Sequence, residues 1–328
     1  MRPTSLLAVL SCLGLASCFS WFLPREPPLP TIDGPEDPDL GAATGASLAS
    51  ARRNGRIELV RLSDGSRHTI PSGPHVIELS GPDADGRVAW LLHPHRGHNL
   101  RIGRPDSGAE PLSPFAARPT FSVGAIALAP SGGSLAYWAQ EKWGRSSDSA
   151  PPVRLEILEI ETGAVRTTEI VAHGPASWPK LAWFPDSRRL LVDQGEQEFR
   201  IFDASTGALS EAVARGDRVW IAPEGTSLIV HGHFGGPLRR VDLDTGTEVP
   251  WNPPPGVEYP MGFPAPGLLV AIALPTTGDE QVYCHGPICR SHPKPTVKVF
   301  DLGSGAFLTL DREVHFEILY STGSTSPP

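Results

Sequence analysis

The chain has 328 residues, and its 36 acidic side chains against 28 basic ones leave a formal net charge of −8. Nucleic acid is excluded as a partner class, because binding it needs positive charge concentrated against the phosphates. With 36 prolines and 34 glycines, long helices are excluded too, and turns must be frequent.

The amino terminus reads as a targeting segment. Arg2 precedes the apolar stretch Ser5 to Ser17 (SLLAVLSCLGLAS), which is too short to span a bilayer, and no later apolar run approaches that length. Residues 1–17 are expected to be a signal peptide that is removed. Its end, Leu15-Ala16-Ser17-Cys18, resembles the lipobox of bacterial lipoproteins, in which a small residue precedes a cysteine that is lipidated and becomes the first residue. The resemblance implies acylation of Cys18 by chains such as palmitate. Phe19 follows where an aspartate would retain the protein at the inner membrane, so in a Gram-negative cell the pattern implies the outer membrane.

Residues 18–46 carry WFLPREPPLPTIDGPEDPDLG, without strand or helix period, and are expected to form a proline-rich tether behind the lipidated cysteine. Such chain extends at about 3.1 Å per residue. A domain over 47–320 and a short disordered tail over 321–328 (STGSTSPP) complete the expected organisation.

Within the domain two sentences alternate. One is an apolar strand, a turn with proline and a second apolar strand: VIELSGPDADGRVAWLL, AIALAPSGGSLAYWA, LAWFPDSRRLLVD, VWIAPEGTSLIVHG and MGFPAPGLLVAIA, with Pro82, Pro130, Pro185, Pro223 and Pro264 in the turns. These prolines stand about 40 to 55 residues apart, as the blades of a propeller would with loop insertions. The other sentence is a strand ending in an acidic or polar turn with glycine: IELVRLSDG, NLRIGRPDSG, LEILEIETG, FRIFDASTG, LRRVDLDTG and VKVFDLGSG. A closing glycine suits a turn that needs positive φ, and the runs before it are β-branched and aromatic, as strands should be.

Six copies of the second sentence stand against five of the first. The chain therefore starts inside a unit, and Val314 to Tyr320 (VHFEILY) is left as an unaccompanied strand. Pairing that strand with the first blade closes a ring and removes the open edges that invite aggregation. The expected fold is all-β, a six-bladed β-propeller closed by a carboxyl-terminal strand completing the first blade; an open β-solenoid is the alternative. LAWFPDSRRLLV followed by FRIFDASTG resembles the WD40-like repeat of TolB-type β-propellers, and the likeness extends over Leu48 to Tyr320. It implies the fold and no particular activity, because propellers host unrelated functions.

In such a ring the two kinds of turn lie on one face, and the loops from second to third strand and from blade to blade lie on the other. Nine of the 11 histidines fall on the loop face: His75, His93, His95, His98, His173, His231, His233, His285 and His292. Its longest insertions are Glu141 to Pro152 and Pro275 to Pro295, and Trp143, Trp178, Phe234 and Trp251 join them. Loops carry function more often than their scaffold. The candidate binding face is accordingly His93, His95, His98, Trp143, His231, His233 and Phe234. The plain alternative is solvated loop, and a metal site requires ligands that converge in space, so no metal is named.

Cys12 leaves with the signal peptide, and Cys284 and Cys289 in YCHGPICRSH remain for a disulfide in an exported protein. A zinc site from Cys284, His285, Cys289 and His292 competes, although the spacing matches no standard module. Nucleophile-elbow, H-E-x-x-H and phosphate-loop signatures are absent, and the strand starts at Val76, Ala125, Leu181 and Val219 offer no ring of carboxylates. Asp83 and Asp85 sit in turns, where aspartate bonds local backbone. The reading is a monomeric, lipid-anchored scaffold of the bacterial cell envelope, without cofactor, binding an envelope protein or peptide. A metal-dependent hydrolase on the same face or in the channel is the alternative.

Overall fold

A computed structural model describes residues 35–40, 42, 46–52, 55–73, 76–92, 100–104, 121–141, 152–172, 180–195, 197–232, 236–273, 280–285, 288–293, 296–311 and 319–322. Every element named in it is a strand. Blade one holds β1 (Ser47–Arg52), β2 (Arg56–Arg61) and β3 (Arg67–Pro71), and blade two β4 (Val76–Ser80), β5 (Val88–Leu92) and β6 (Leu100–Gly103). Blade three holds β7 (Phe121–Leu128), β8 (Ser134–Glu141), β9 (Val153–Glu159) and β10 (Val165–Ala172). Blade four holds β11 (Leu181–Trp183), β12 (Arg189–Asp193), β13 (Glu198–Asp203) and β14 (Leu209–Arg215). Blade five holds β15 (Arg218–Ile221), β16 (Ser227–His231), β17 (Leu238–Asp242) and β18 (Glu248–Pro250). Blade six holds β19 (Val257–Gly262), β20 (Leu268–Ala273), an inserted hairpin of β21 (Glu280–His285) and β22 (Ile288–Pro293), then β23 (Thr296–Asp301) and β24 (Phe307–Asp311). The last strand, β25 (Leu319–Thr322), pairs antiparallel with β1 and makes the order β25-β1-β2-β3.

Six sheets therefore close into a six-bladed propeller, five of them four-stranded and the second showing three strands among the described residues. The closing strand supplies the innermost position of blade one. It reaches two residues further than the repeat pattern indicated, because Ser321 and Thr322, read as tail, pair with Leu48 and Ser47. The described part of the segment read as tether is also attached: the Asp37 N–H donates to the Phe307 carbonyl at 2.7 Å, and the Phe307 N–H to the Pro35 carbonyl at 3.0 Å. Residues 35–37 thus run parallel along β24 and cover the open edge of blade six.

Side-chain alternation builds the core between blades. Along β7, Ala125 and Ala127 pack toward Trp183, Leu190 and Val192 of blade four, while Ile126 and Leu128 pack toward Ala89 and Ile102 of blade two. Leu190 and Val192 of β12 face blade three and Leu191 faces blade five. A period of two buries both sides of each sheet against its neighbours, so these strands read as continuous apolar runs. Leu40 enters the seam of blades one and six with Ala46, Leu48, Val270 and Val299.

The repeated turns have local jobs. Asp203 Oδ1 accepts the N–H groups of Ser205 and Thr206, Asp242 Oδ1 those of Asp244 and Thr245, and Asp301 Oδ1 those of Gly303 and Ser304. Gly207, Gly246 and Gly305 follow at φ 79°, 68° and 74°, a backbone that favours glycine. These bonds hold all three carboxyls below their ordinary value: for Asp203 the bond from Arg188 counts most, then that from Ser205, and for Asp242 and Asp301 the backbone N–H groups of Thr245 and Ser304 lead. The proline turns are latched to one another. The Ala84 N–H donates to the Pro130 carbonyl at 3.0 Å, the Ser131 N–H to Ser187 Oγ at 2.9 Å, and the Arg189 guanidinium to the Gly225 carbonyl at 3.1 Å. The turn face of the ring is thereby committed to structure. As expected, Asp83 bonds local backbone, accepting the N–H groups of Asp85 and Arg87.

Candidate functional site

Cross-strand pairing puts the beginnings of the innermost strands and the ends of the second strands on the opposite, loop-rich face. His231 closes β16 there, paired with Arg218 at the start of β15, and its carbonyl accepts the Asp217 N–H at 3.0 Å. Directly paired residues share a sheet face, so the His231 imidazole and the Arg218 guanidinium leave blade five on the same side. Gly216 permits this tight entry, since a Cβ there would collide with the His231 carbonyl oxygen. Of the candidate face, His93, His95, His98, Trp143, His233 and Phe234 lie outside the described residues, as does Cys18.

Cys284 and Cys289 are direct partners across the β21–β22 pair, next to the pair His285 and Ile288. His292 pairs with Gln281 on the same hairpin. Trp251 is half-buried and packs edge-on against Phe263, with ring centroids 6.0 Å apart, so it props blade six instead of projecting from a loop. Among the described residues no group of three or more His, Cys, Asp or Glu side chains could hold a metal ion.

Two groups at the channel were not singled out by the repeat pattern. Glu78 on β4 accepts the Ile126 N–H at 3.0 Å, and Ser80 Oγ accepts the Leu128 N–H at 2.8 Å. The Trp183 indole N–H donates to the Ala127 carbonyl at 2.9 Å. Side chains of blades two and four thus occupy backbone groups of β7 that its own sheet leaves unpaired. β7 bulges here, with Ala125 at φ 37°, and β4 carries its own irregularity between Val76 and Glu78. Burial pushes the Glu78 carboxyl up to about 7, against the pull of the Ile126 and Ala125 N–H groups. Among the described residues Glu78 belongs to no group of carboxylates that could hold a metal ion.

The second group spans three blades. Lys180, just before β11, donates to the Asp217 carbonyl at 2.7 Å. Arg218 stacks its guanidinium over the Tyr259 ring of β19 at 4.4 Å, and Trp220 meets the same ring edge-on at 6.1 Å. Lys180 is an exposed residue whose ammonium end lies against blade five. Desolvation there, then the charge of Arg218, lower its pKa, and Asp193 and Asp217 partly oppose them. The Tyr259 hydroxyl is buried and has no hydrogen-bond partner among the described residues.

Neither family sequence models nor individual curated proteins match this chain. Solved structures do. TolB from Acinetobacter baumannii superposes with a TM-score of 0.51 at 13% identity, over 80% of this chain and 63% of that one. An oligogalacturonate lyase in complex with manganese gives 0.50 at 11% identity, over 85% and 76%. This chain therefore spans less than two thirds of the TolB chain that it matches. Six sheets, a closing innermost strand and these superpositions lead to one statement of kind: the chain folds as a TolB-like six-bladed β-propeller.

Proposed function

We propose that this protein is a lipid-anchored scaffold of the bacterial cell envelope that holds a protein or peptide on the loop-rich face of its propeller. The observation that carries the reading is the inequality of the two faces. On one, aspartate turns bind their own backbone N–H groups and proline turns bind one another. The other gathers the blade junctions, the β21–β22 hairpin and the channel end with Lys180, Arg218 and His231. A rigid ring presenting variable loops suits recognition. The lipobox at Cys18 supplies the address, and the protein acts as a monomer at the outer membrane, without cofactor.

Fractionation of cells carrying Cys18→Ala tests the anchor. The variant should accumulate unprocessed or soluble, since a removed signal peptide leaves no stable anchor; a fully processed variant that still partitions with membranes refutes it. Cross-linking of the full chain in membranes tests the scaffold, and the expected result is a stoichiometric polypeptide partner bound through the loop face. Stoichiometric metal in the purified protein, with hydrolytic activity lost on chelation, would move the assignment to the metal-dependent hydrolase.

A further inference from the structure

The strand that opens the ring and the strand that closes it meet at the turn face. Ser47 pairs with Thr322 on one side and with Arg61 on the other, beside the turn in which Asp64 accepts the Ser66 N–H. Ahead of β1, residues 35–40 form a built strap. Pro35 and Asp37 bond the backbone of Phe307, Asp37 Oδ1 accepts the Asp39 N–H at 2.9 Å, and the Asp37 carbonyl accepts the Leu40 N–H at 3.2 Å. That turn delivers Leu40 into the seam of blades one and six. We infer that the strap sets the orientation of the protein on its membrane: the lipid tether leaves the turn face at the rim of blade six, so the loop-rich face is presented away from the anchoring membrane, to a polypeptide outside it. The inference rests on the lipid-anchor and scaffold readings and states where the partner lies.

Strand direction is the first argument. β24 begins just past the aspartate turn at Asp301, on the turn face, and ends at Asp311, which pairs with Val297 near the loop-rich end of β23. The strap runs parallel to it, with Glu36 against Phe307. Pro35 is therefore the strap residue nearest the aspartate turn, and the chain ahead of it arrives from that side. An antiparallel strap would have brought the tether in from the loop-rich side instead.

Length is the second. Fully extended, residues 18–34 span at most about 60 Å, whereas chain left free as far as residue 46 would span about 100 Å. The strap thus shortens the tether and fixes its point of attachment. A short tether fastened at the rim of the turn face keeps that face nearest the lipid. Bringing the loop-rich face to the membrane would require the tether to wrap across the edge of blade six, which costs it length and conformational freedom. The turn face also has its polar groups committed to local and blade-to-blade bonds, so facing the membrane removes no recognition loop from reach.

The test uses the lipidated mature chain in phosphatidylcholine vesicles that contain an acceptor-labelled lipid. With Cys284→Ser and Cys289→Ser as background, one donor dye is placed at Leu302→Cys on the turn face or at Glu258→Cys on the loop-rich face, both exposed positions. The two sites differ in depth by about one strand length, roughly 17 to 20 Å, so energy transfer from the Leu302 site should exceed that from the Glu258 site about twofold or more. Asp37→Pro removes the N–H that holds the Phe307 carbonyl and frees more tether, so transfer should fall at both sites. Unchanged circular dichroism and melting temperature would show that the variants are folded; should Asp37→Pro melt early, the comparison of the two labelled sites carries the test. Equal transfer from the two sites, or stronger transfer from the Glu258 site, overturns the inference. Transfer that ignores Asp37→Pro in a folded protein overturns the part assigned to the strap. The chain from residue 19 with an amino-terminal histidine tag, bound to nickel-chelating vesicles, separates the two readings. The expected transfer there, with untagged protein from cells failing to join vesicles, supports the exit from the turn face and counts against the lipid anchor.

Discussion

Replacing Glu78 by glutamine should make the propeller more stable at pH 8 and change it little near pH 4.5. The native state holds the carboxyl near 7 against an ordinary value of 4.5, because burial disfavours the charge. A raised acid pKa means that the folded state keeps its proton while the unfolded chain has lost it. Stability from this group is fully present below about 4.5 and is lost as pH rises through about 7. The full linkage is about 3 kcal/mol, at about 1.4 kcal/mol for each tenfold. Glu78 is half-buried beside the channel, so about 2 kcal/mol is the expected measured effect. Glutamine cannot ionise, and its amide oxygen can still accept the Ile126 N–H. Urea unfolding of the parent and Glu78→Gln at pH 5 and pH 8 isolates the term, because every other titrating group is common to both proteins. In a domain of this size the gain at pH 8 corresponds to a few degrees in Tm. The same stability difference at both pH values would refute the account of Glu78 as an acid whose charge is disfavoured by burial.

Three further outcomes are expected. Leu40→Ala should destabilise the domain by about 2 kcal/mol in chemical unfolding, at the low end for a buried leucine because it sits at the rim of the blade one to blade six seam; a change below ~0.5 kcal/mol would mean that the strap over β24 does not hold the fold. Truncation before Leu319 should lower Tm severely and promote aggregation by exposing the inner edge of β1, whereas removing only residues 323–328 should do little; equal melting of the two truncations would refute closure through β25. Cys284 and Cys289, direct cross-strand partners, should form a disulfide in exported protein, detected as an intact mass two hydrogen atoms lighter than the reduced form, and Cys284→Ser with Cys289→Ser should loosen the hairpin without unfolding the ring; two free thiols in protein purified without reductant would refute the bridge.

The amino-acid sequence by itself determined the blades. The blades repeat a local chemistry that acts within a few residues: apolar runs long enough for one strand, a proline turn in five copies, and in blades four to six an aspartate that ties down two following N–H groups before a glycine at positive φ. The surplus strand followed from counting these copies, and it does close the ring. The sequence placed Cys284, Cys289 and His231 only in loops; that the two cysteines face each other on a hairpin and that His231 still belongs to β16 came from the strand pairing. Only the tertiary structure decided what bonds across blades. Glu78 meets the Ile126 N–H 48 residues away, Trp183 meets the Ala127 carbonyl at a separation of 56, and residues 35–37 dock on Phe307. Lys180, Arg218 and Tyr259 likewise belong to three different blades, and each by itself is an ordinary residue near a strand start. Their meeting depends on how blades rotate about the channel, a long-range consequence of packing that no local periodicity encodes.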